Sequence, residues 1–256
     1  MPSSLQGKFV WYELTTPDSA AARRFFQAVL GWESRDGTVP GFDYSLMSAA
    51  GTDVAGIMGQ TDDMPAGWLG YIGVDDIEAA CAKAIAAGAA VCVPIHPIPG
   101  VGRFTILLDP AGSRFALLEY ADHFPKPTVP AHGTHGNGWW RELHASDREK
   151  AFAFYSEQFG WVEAQAMDMG PMGIYQVVAP AAGEEGNGAM FNDRGRPPFW
   201  LFYFWVDDID TAHDAVLANG GKVVNGPMEV PGGTWVFEGQ DPQGLTFALV
   251  GYKTKK

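Results

Sequence analysis

The sequence predicts an α+β fold written twice, as two tandem copies of one module built from βαβββ units. Three observations predict it. Residues 10–33, "VWYELTTPDSAAARRFFQAVLGWE", return at 139–163 as "WWRELHASDREKAFAFYSEQFGWVE". Residues 68–91, "WLGYIGVDDIEAACAKAIAAGAAV", return at 200–223 as "WLFYFWVDDIDTAHDAVLANGGKV", and "DPAGSRFALLEY" at 109–120 returns as "DPQGLTFALVGY" at 241–252. The offset between copies shifts by only three residues from the early blocks to the late ones, so one short insertion accounts for it. Self-similarity at this scale marks a duplicated structural unit. The expected division is a first module at 1–122, a linker at 123–137 and a second module at 138–256.

Each copy opens with a strand, about 8–15 and 138–145. A helix follows. In the first copy Thr16 is a candidate N-cap, with Pro17 at the first helical position, where its missing N–H costs nothing. In the second, Ser146 and Glu149 form an S-x-x-E capping box. Phe25, Phe26, Val29 and Leu30 recur at helical spacing before Gly31; Phe152, Tyr155 and Phe159 do so before Gly160. Short strand-like pieces come next, "FDYSLMS" then "DVAGIMG", and "GIYQVVA" then "GAMFN". "WLGYIGV" and "WLFYFWV" lead into a second helix, where Ile77, Ala80, Ala84, Ile85 and Gly88 mark the apolar stripe. Two more strands close the copy, joined by Asp109-Pro110-Ala111-Gly112, with Pro at i+1 and Gly at i+3 of a type I turn; Asp241-Pro242-Gln243-Gly244 repeats it.

Composition narrows the function classes. The formal net charge is −13, which argues against a protein that works on phosphate backbones or anionic lipid. No nucleic-acid or membrane partner is expected. No basic segment followed by an apolar run opens the chain, and no stretch approaches ~18 apolar residues, so a cytoplasmic protein is expected. Cys81, on a helical apolar face, and Cys92, in a Val-rich strand, read as buried small hydrophobes. The Pro, Gly and His content of the linker suits an exposed connector, with His123, His132 and His135 solvated. His213 reads as a core histidine and His96 as an exposed loop residue.

The strand, the helix ending in Gly-Trp, the "VDDI" junction and the "DPxG" turn occur in this order, twice, over nearly the whole chain. In this they resemble the vicinal oxygen chelate superfamily, which includes glyoxalase I, bleomycin-resistance proteins and extradiol dioxygenases. The tandem form is similar to two-module bacterial glyoxalase-like proteins. The resemblance implies curved mixed sheets around a central cavity. It also implies metal ligands on the first and last strands of each module. By the resemblance those positions fall on Trp11 and Trp140, and on Ala116 and Ala248, none of which can ligate a divalent metal. The family's metal chemistry is therefore not carried over, and no cofactor is expected.

Alternation along the first strand puts Trp11, Glu13 and Thr15 on one face, and Trp140, Glu142 and His144 on the matching face of the second copy. If that face looks into the cavity, Tyr120 and Tyr252 join it from the final strands. The result is an aromatic pocket holding two carboxylates. Two carboxylates in a partly dry site repel, which raises one pKa and suits it to acid–base work. Glu13 and Glu142 are thus the candidate catalytic residues. Trp11, Trp140, His144, Tyr120 and Tyr252 are the candidate ligand-binding residues. The structural alternative is that the glutamates are shared scaffold residues and the tryptophans fill the core. A relocated metal site of Glu13, Glu142 and His144 is a further alternative. The expected function is binding of a small organic molecule, either as a metal-independent lyase or isomerase or as a sequestering protein, by a monomer or homodimer.

Overall fold

The structure is a computed structural model that describes residues 5–37, 39, 41–61, 64–125, 127 and 133–254. The first module runs β1 (Phe9–Thr16), α1 (Ser19–Leu30), β2 (Glu33–Asp36), β3 (Tyr44–Ala49), β4 (Thr52–Gly59), β5 (Gly67–Gly73), α2 (Ile77–Ala86), β6 (Ala90–Ile98), β7 (Gly102–Leu108) and β8 (Arg114–Tyr120). The second repeats it as β9 (Gly138–Ala145), α3 (Arg148–Phe159), β10 (Val162–Asp168), β11 (Ile174–Ala179), β12 (Gly188–Asn192), β13 (Phe199–Asp208), α4 (Ile209–Ala218), β14 (Lys222–Val230), β15 (Thr234–Gln240) and β16 (Thr246–Tyr252), with one 3-10 turn at Gly170–Met172. Each module is two βαβββ units in succession. The eight strands of each form one mixed sheet, ordered β2-β3-β4-β1-β5-β8-β7-β6 and β10-β11-β12-β9-β13-β16-β15-β14. The α+β, tandem-module expectation holds.

The sequence reading lacked β2 and the repeats β10 and β14 as separate elements, and had β6 only as the Val-rich strand around Cys92. All four stand at the ends of the strand orders. Edge strands need no two-sided apolar pattern, and they tolerate proline because one flank has no ladder to complete. β2 is "ESRD", exposed throughout, and β6 carries Pro94 and Pro97. Two readings are corrected here. Cys92 is exposed on β6, while Cys81 is buried as expected. His96 is exposed but lies within β6 rather than on a loop.

The helix starts are also corrected. All four helices are capped by aspartate: Asp18, Asp76, Asp147 and Asp208. The Asp18 carboxylate accepts from Ala21 N at 2.8 Å, and Asp147 from Lys150 N at 3.1 Å. A carboxylate both satisfies an orphan N–H and meets the positive end of the helix dipole. Thr16 is instead the last residue of β1, and Ser146 precedes the cap. Gly31 and Gly160 end α1 and α3 in the left-handed region, at φ 63° and 76°. On α3 it is Phe154, not Phe152, that is buried with Tyr155 and Phe159, and on α2 Ile85 points out while Cys81 points in.

The chain divides into two compact units, and each draws on both modules. One comprises residues Met1–Val10, Leu69–Val129 and Arg141–Trp200. Within it, α3 supplies Phe154, Tyr155 and Phe159, whose rings meet Phe115 of β8. The other comprises Trp11–Trp68, Pro130–Trp140 and Leu201–Lys256. Within it, Phe25 and Phe26 of α1 meet Phe247 of β16, and Trp32, Trp68 and Phe204 extend the cluster. Part of the expected linker belongs to this core. Trp32 Nε1 donates to Gly136 O at 2.7 Å, Asn137 is buried, and the half-buried His135 ring lies 3.1 Å from Leu30 O through Nε2 and 3.2 Å from Asp207 through Nδ1. His123 is exposed, and His132 lies outside the described residues.

Candidate functional site

Each module contains a glutamate–tyrosine pair, and each pair lies within one unit. In the first module β1 runs parallel to β4, which sets Glu13 beside Gly56; β3 then places Tyr44 beside Met58. The Tyr44 phenol is hydrogen-bonded to the side chains of Glu13 and Trp11. Burial, reinforced by the Glu13 charge, pushes its pKa well above the usual phenol range, so it is a donor and never a phenolate near neutrality. The ring lies directly over Gly56: a Cβ there would stand 2.1 Å from the phenol oxygen. Only glycine permits that approach.

The second module keeps the pair and adds to it. Glu142 of β9 stands beside Ala189 of β12, and His144 beside Phe191. The Tyr175 hydroxyl donates to Glu142 Oε1. Tyr175 stacks on Phe191, with ring centroids 5.8 Å apart. His144 replaces Thr15 of the first copy. Its ring is 3% exposed and sits between Phe191 and Phe199, at 4.6 and 4.4 Å between centroids. Its Nδ1 lies 2.9 Å from Asp193 Oδ2 and 2.9 Å from Arg196 Nη2. Arg196 also donates through Nε to Asp193 at 2.9 Å, and its guanidinium lies 4.8 Å over the Phe199 ring. Burial alone would raise the Asp193 carboxyl, but hydrogen bonds from His144, Arg196 and Gly195 N outweigh it and hold the pKa at about 2. His144 Nε2 makes no hydrogen bond within the protein, and Glu142 Oε2 lies 3.7 Å away.

The sequence-derived site residues fall in different places. Glu13 is buried; Trp11, Trp140 and Glu142 are half-buried. Glu142 and His144 come together in one unit, while Glu13 and Trp11 meet around Tyr44 in the other. Tyr120 stacks on Phe124 at 5.3 Å and lines a cleft of about 290 Å³ with Leu5, Asp75, Glu119 and Asp122. Burial pushes its phenol well above the usual range. Tyr252 is exposed and packs edge-on against Trp205 at 5.2 Å. His213 is half-buried beside Asp214. Sequence reasoning missed Tyr44, Tyr175, Asp193 and Arg196. The tyrosines were visible as the aligned third residues of "FDYSLMS" and "GIYQVVA". Asp193 and Arg196 stand in "NDRGRPP", a loop whose first-copy counterpart, "GQTDDMP", differs from it in sequence.

The positions that the resemblance assigns to metal ligands do not fit a metal. Ala116 and Ala248 are fully buried methyl groups in the sheet, and Trp11 and Trp140 offer no lone pair for a cation. Among the described residues, one group of three carboxylates converges closely enough to hold an ion: Asp76, Glu78 and Glu119. There the Arg103 guanidinium already serves as counter-ion, bonding both Glu78 and Glu119. It draws the Glu78 carboxyl below its usual value.

The profile of the Glyoxalase/Bleomycin resistance protein/Dioxygenase superfamily matches residues 8–117 and 141–249. The chain belongs to that superfamily, with one match in each module. It is 32% identical over 251 residues to a Mycobacterium tuberculosis protein named "Putative glyoxylase CFP32", covering 96% of this chain and 95% of that one. It is 28% identical over 265 residues to the Streptomyces peucetius anthracycline biosynthesis protein DnrV, covering 95% and 93%. Among solved structures, the Mn(II)-bound glyoxalase of Novosphingobium aromaticivorans superposes with a TM-score of 0.66 at 17% identity, over 95% of this chain and 81% of that one. Homoprotocatechuate 2,3-dioxygenase of Brevibacterium fuscum gives 0.68 at 14%, over 98% and 82%. Likeness at that identity establishes the fold alone. No described helix is long and apolar enough to cross a membrane.

Proposed function

We propose that the chain binds a small organic molecule, a carbonyl-bearing or aromatic metabolite, at the Glu142–Tyr175–His144 cluster and transfers a proton on it as a metal-independent lyase or isomerase. The observation that carries this reading is the buried His144 Nε2, which has no hydrogen bond in the protein and faces the Glu142 carboxylate at 3.7 Å. Buried polar atoms are nearly always satisfied, and exceptions concentrate where a ligand or reaction completes the set. Phe191 and Phe199 pack on the His144 ring and Tyr175 stacks on Phe191, so the surroundings of Nε2 are largely aromatic, which suits a flat or apolar partner. Glu142 is the acid–base group of this reading, with Tyr175 donating to it. Glu13, bonded to Tyr44, is its counterpart in the first module. The names of the relatives, a glyoxylase and anthracycline biosynthesis proteins, point to the same substrate range.

The test is titration of the protein with daunorubicin and with the hemithioacetal of methylglyoxal and a thiol. Tryptophan fluorescence reads binding, and mass spectrometry reads product. The reading expects saturable binding to at least one probe, conversion of the bound probe, and at least a hundredfold loss of rate in Glu142→Gln. Saturable binding without product would favour sequestration, the second function open to this superfamily. Full turnover in Glu142→Gln would remove the carboxylate from the mechanism.

A further inference from the structure

Two charged groups compete for one nitrogen of His144, and the winner decides what the other nitrogen can do. Asp193 Oδ2 and Arg196 Nη2 both lie 2.9 Å from Nδ1. If Nδ1 carries the proton, it donates to the carboxylate and Nε2 is a lone pair. If Nδ1 is bare, it accepts from the guanidinium and Nε2 carries the proton. The cluster favours the first arrangement. A bare nitrogen facing an ionised carboxylate oxygen at hydrogen-bond distance sets two lone pairs against each other. Arg196, by contrast, does not depend on the ring: its Nε donates to Asp193 and its face covers Phe199. The arginine thus keeps Asp193 ionised, and Asp193 keeps the ring proton on Nδ1.

We infer that His144 is the group that accepts the proton of the ligand, that Asp193 is the positioning residue that fixes its tautomer, and that Arg196 holds Asp193 against the ring. This rests on the proposed binding at this cluster and deepens it: His144 takes the ligand proton first, and Glu142, 3.7 Å from Nε2, is the acid–base carboxylate beside it. The step balances simply. A ligand O–H or activated C–H breaks, the proton moves to Nε2, and the bonding electron pair stays on the ligand. The imidazolium that results lies between two carboxylates, Asp193 on one nitrogen and Glu142 near the other, which stabilise its charge. The ligand class follows: a weak acid, either an enolisable carbonyl compound or a phenol. Among its described residues the first module holds no such device. Thr15 stands where His144 does, and the Tyr44 ring covers Gly56. In the second module the residue beside the glutamate is Ala189, and Tyr175 stacks on Phe191 instead. One working site per chain is expected, in the second module.

The experiment needs no ligand. Long-range proton–nitrogen correlation spectra of the uniformly labelled full chain report which ring nitrogen of each histidine is protonated. His144→Gln, with triple-resonance assignment as a second route, identifies the signal. The expected wild-type result at neutral pH is a protonated Nδ1 and a bare Nε2. Asp193→Asn, whose amide can donate to Nδ1, moves the proton to Nε2, while Arg196→Gln leaves it on Nδ1. A wild-type ring protonated on Nε2, or an Asp193→Asn spectrum unchanged from wild type, overturns the proposal. These outcomes stand whether or not a probe binds, so they separate this inference from the functional reading beneath it.

Discussion

Phe26→Tyr should stabilise the protein, and the duplicated core shows why. In one unit the Tyr155 hydroxyl donates to Asp109 Oδ2 at 3.2 Å and accepts from Trp200 Nε1 at 3.0 Å. The repeat maps these three residues onto Phe26, Asp241 and Trp68 of the other unit. There Asp241 Oδ2 and Trp68 Nε1 are both buried without a hydrogen-bond partner. The ring geometry is nearly the same: Tyr155 and Trp200 are 5.3 Å apart at 85°, Phe26 and Trp68 5.4 Å at 81°. A hydroxyl on Phe26 therefore enters a gap already framed by an acceptor and a donor. Two new hydrogen bonds at roughly 1 kcal/mol each give a gain of about 2 kcal/mol, with relief of the orphaned groups included at the lower end. For a chain of this size that is a rise in Tm of about 4–8 °C. Burial raises the Asp241 carboxyl above its ordinary value. A raised carboxyl favours the fold at low pH and loses that contribution as pH rises through its folded pKa, so wild type carries a penalty near neutrality. Donation from a new hydroxyl favours the charged form and lessens that penalty, which makes the gain larger at pH 7 than at pH 4. Thermal unfolding at both pH values is the assay. A Phe26→Tyr protein that melts no higher than wild type would refute the reasoning, and so would a Tyr155→Phe protein that loses nothing.

Other outcomes follow from the same geometry. Asp193 is held at about 2 against an ordinary 3.8, so its contribution to stability is present above pH 4 and is lost as pH falls toward 2; Asp193→Asn should flatten acid unfolding in that window. Gly56→Ala places a methyl against the Tyr44 phenol and should cost about 1–3 kcal/mol in urea unfolding, whereas Ala189→Gly should cost less than about 1 kcal/mol. Dialysis against a chelator should leave Tm unchanged, because residues 11, 116, 140 and 248 supply no metal donors; a fall of several degrees would reveal a structural metal held elsewhere.

The sequence by itself determined the duplication and the fold class. Repeats of "EL", Gly-Trp, "VDDI" and "DPxG" are local signals, and local signals survive in one dimension. The glycine stops and the Asp109 and Asp241 turns are satisfied within a few residues of themselves. The sequence also singled out Glu13, Glu142 and His144, through strand alternation and the comparison of one copy with the other. It could not supply their partners. Tyr44 reaches Glu13 from β3, and Asp193 and Arg196 reach His144 from a loop some fifty residues on. Edge strands left no apolar pattern to read. Nor could one copy, read as a self-contained module, reveal that each compact unit draws strands and helices from both. Those facts depend on which surfaces are buried against which, and burial is decided only when distant segments meet.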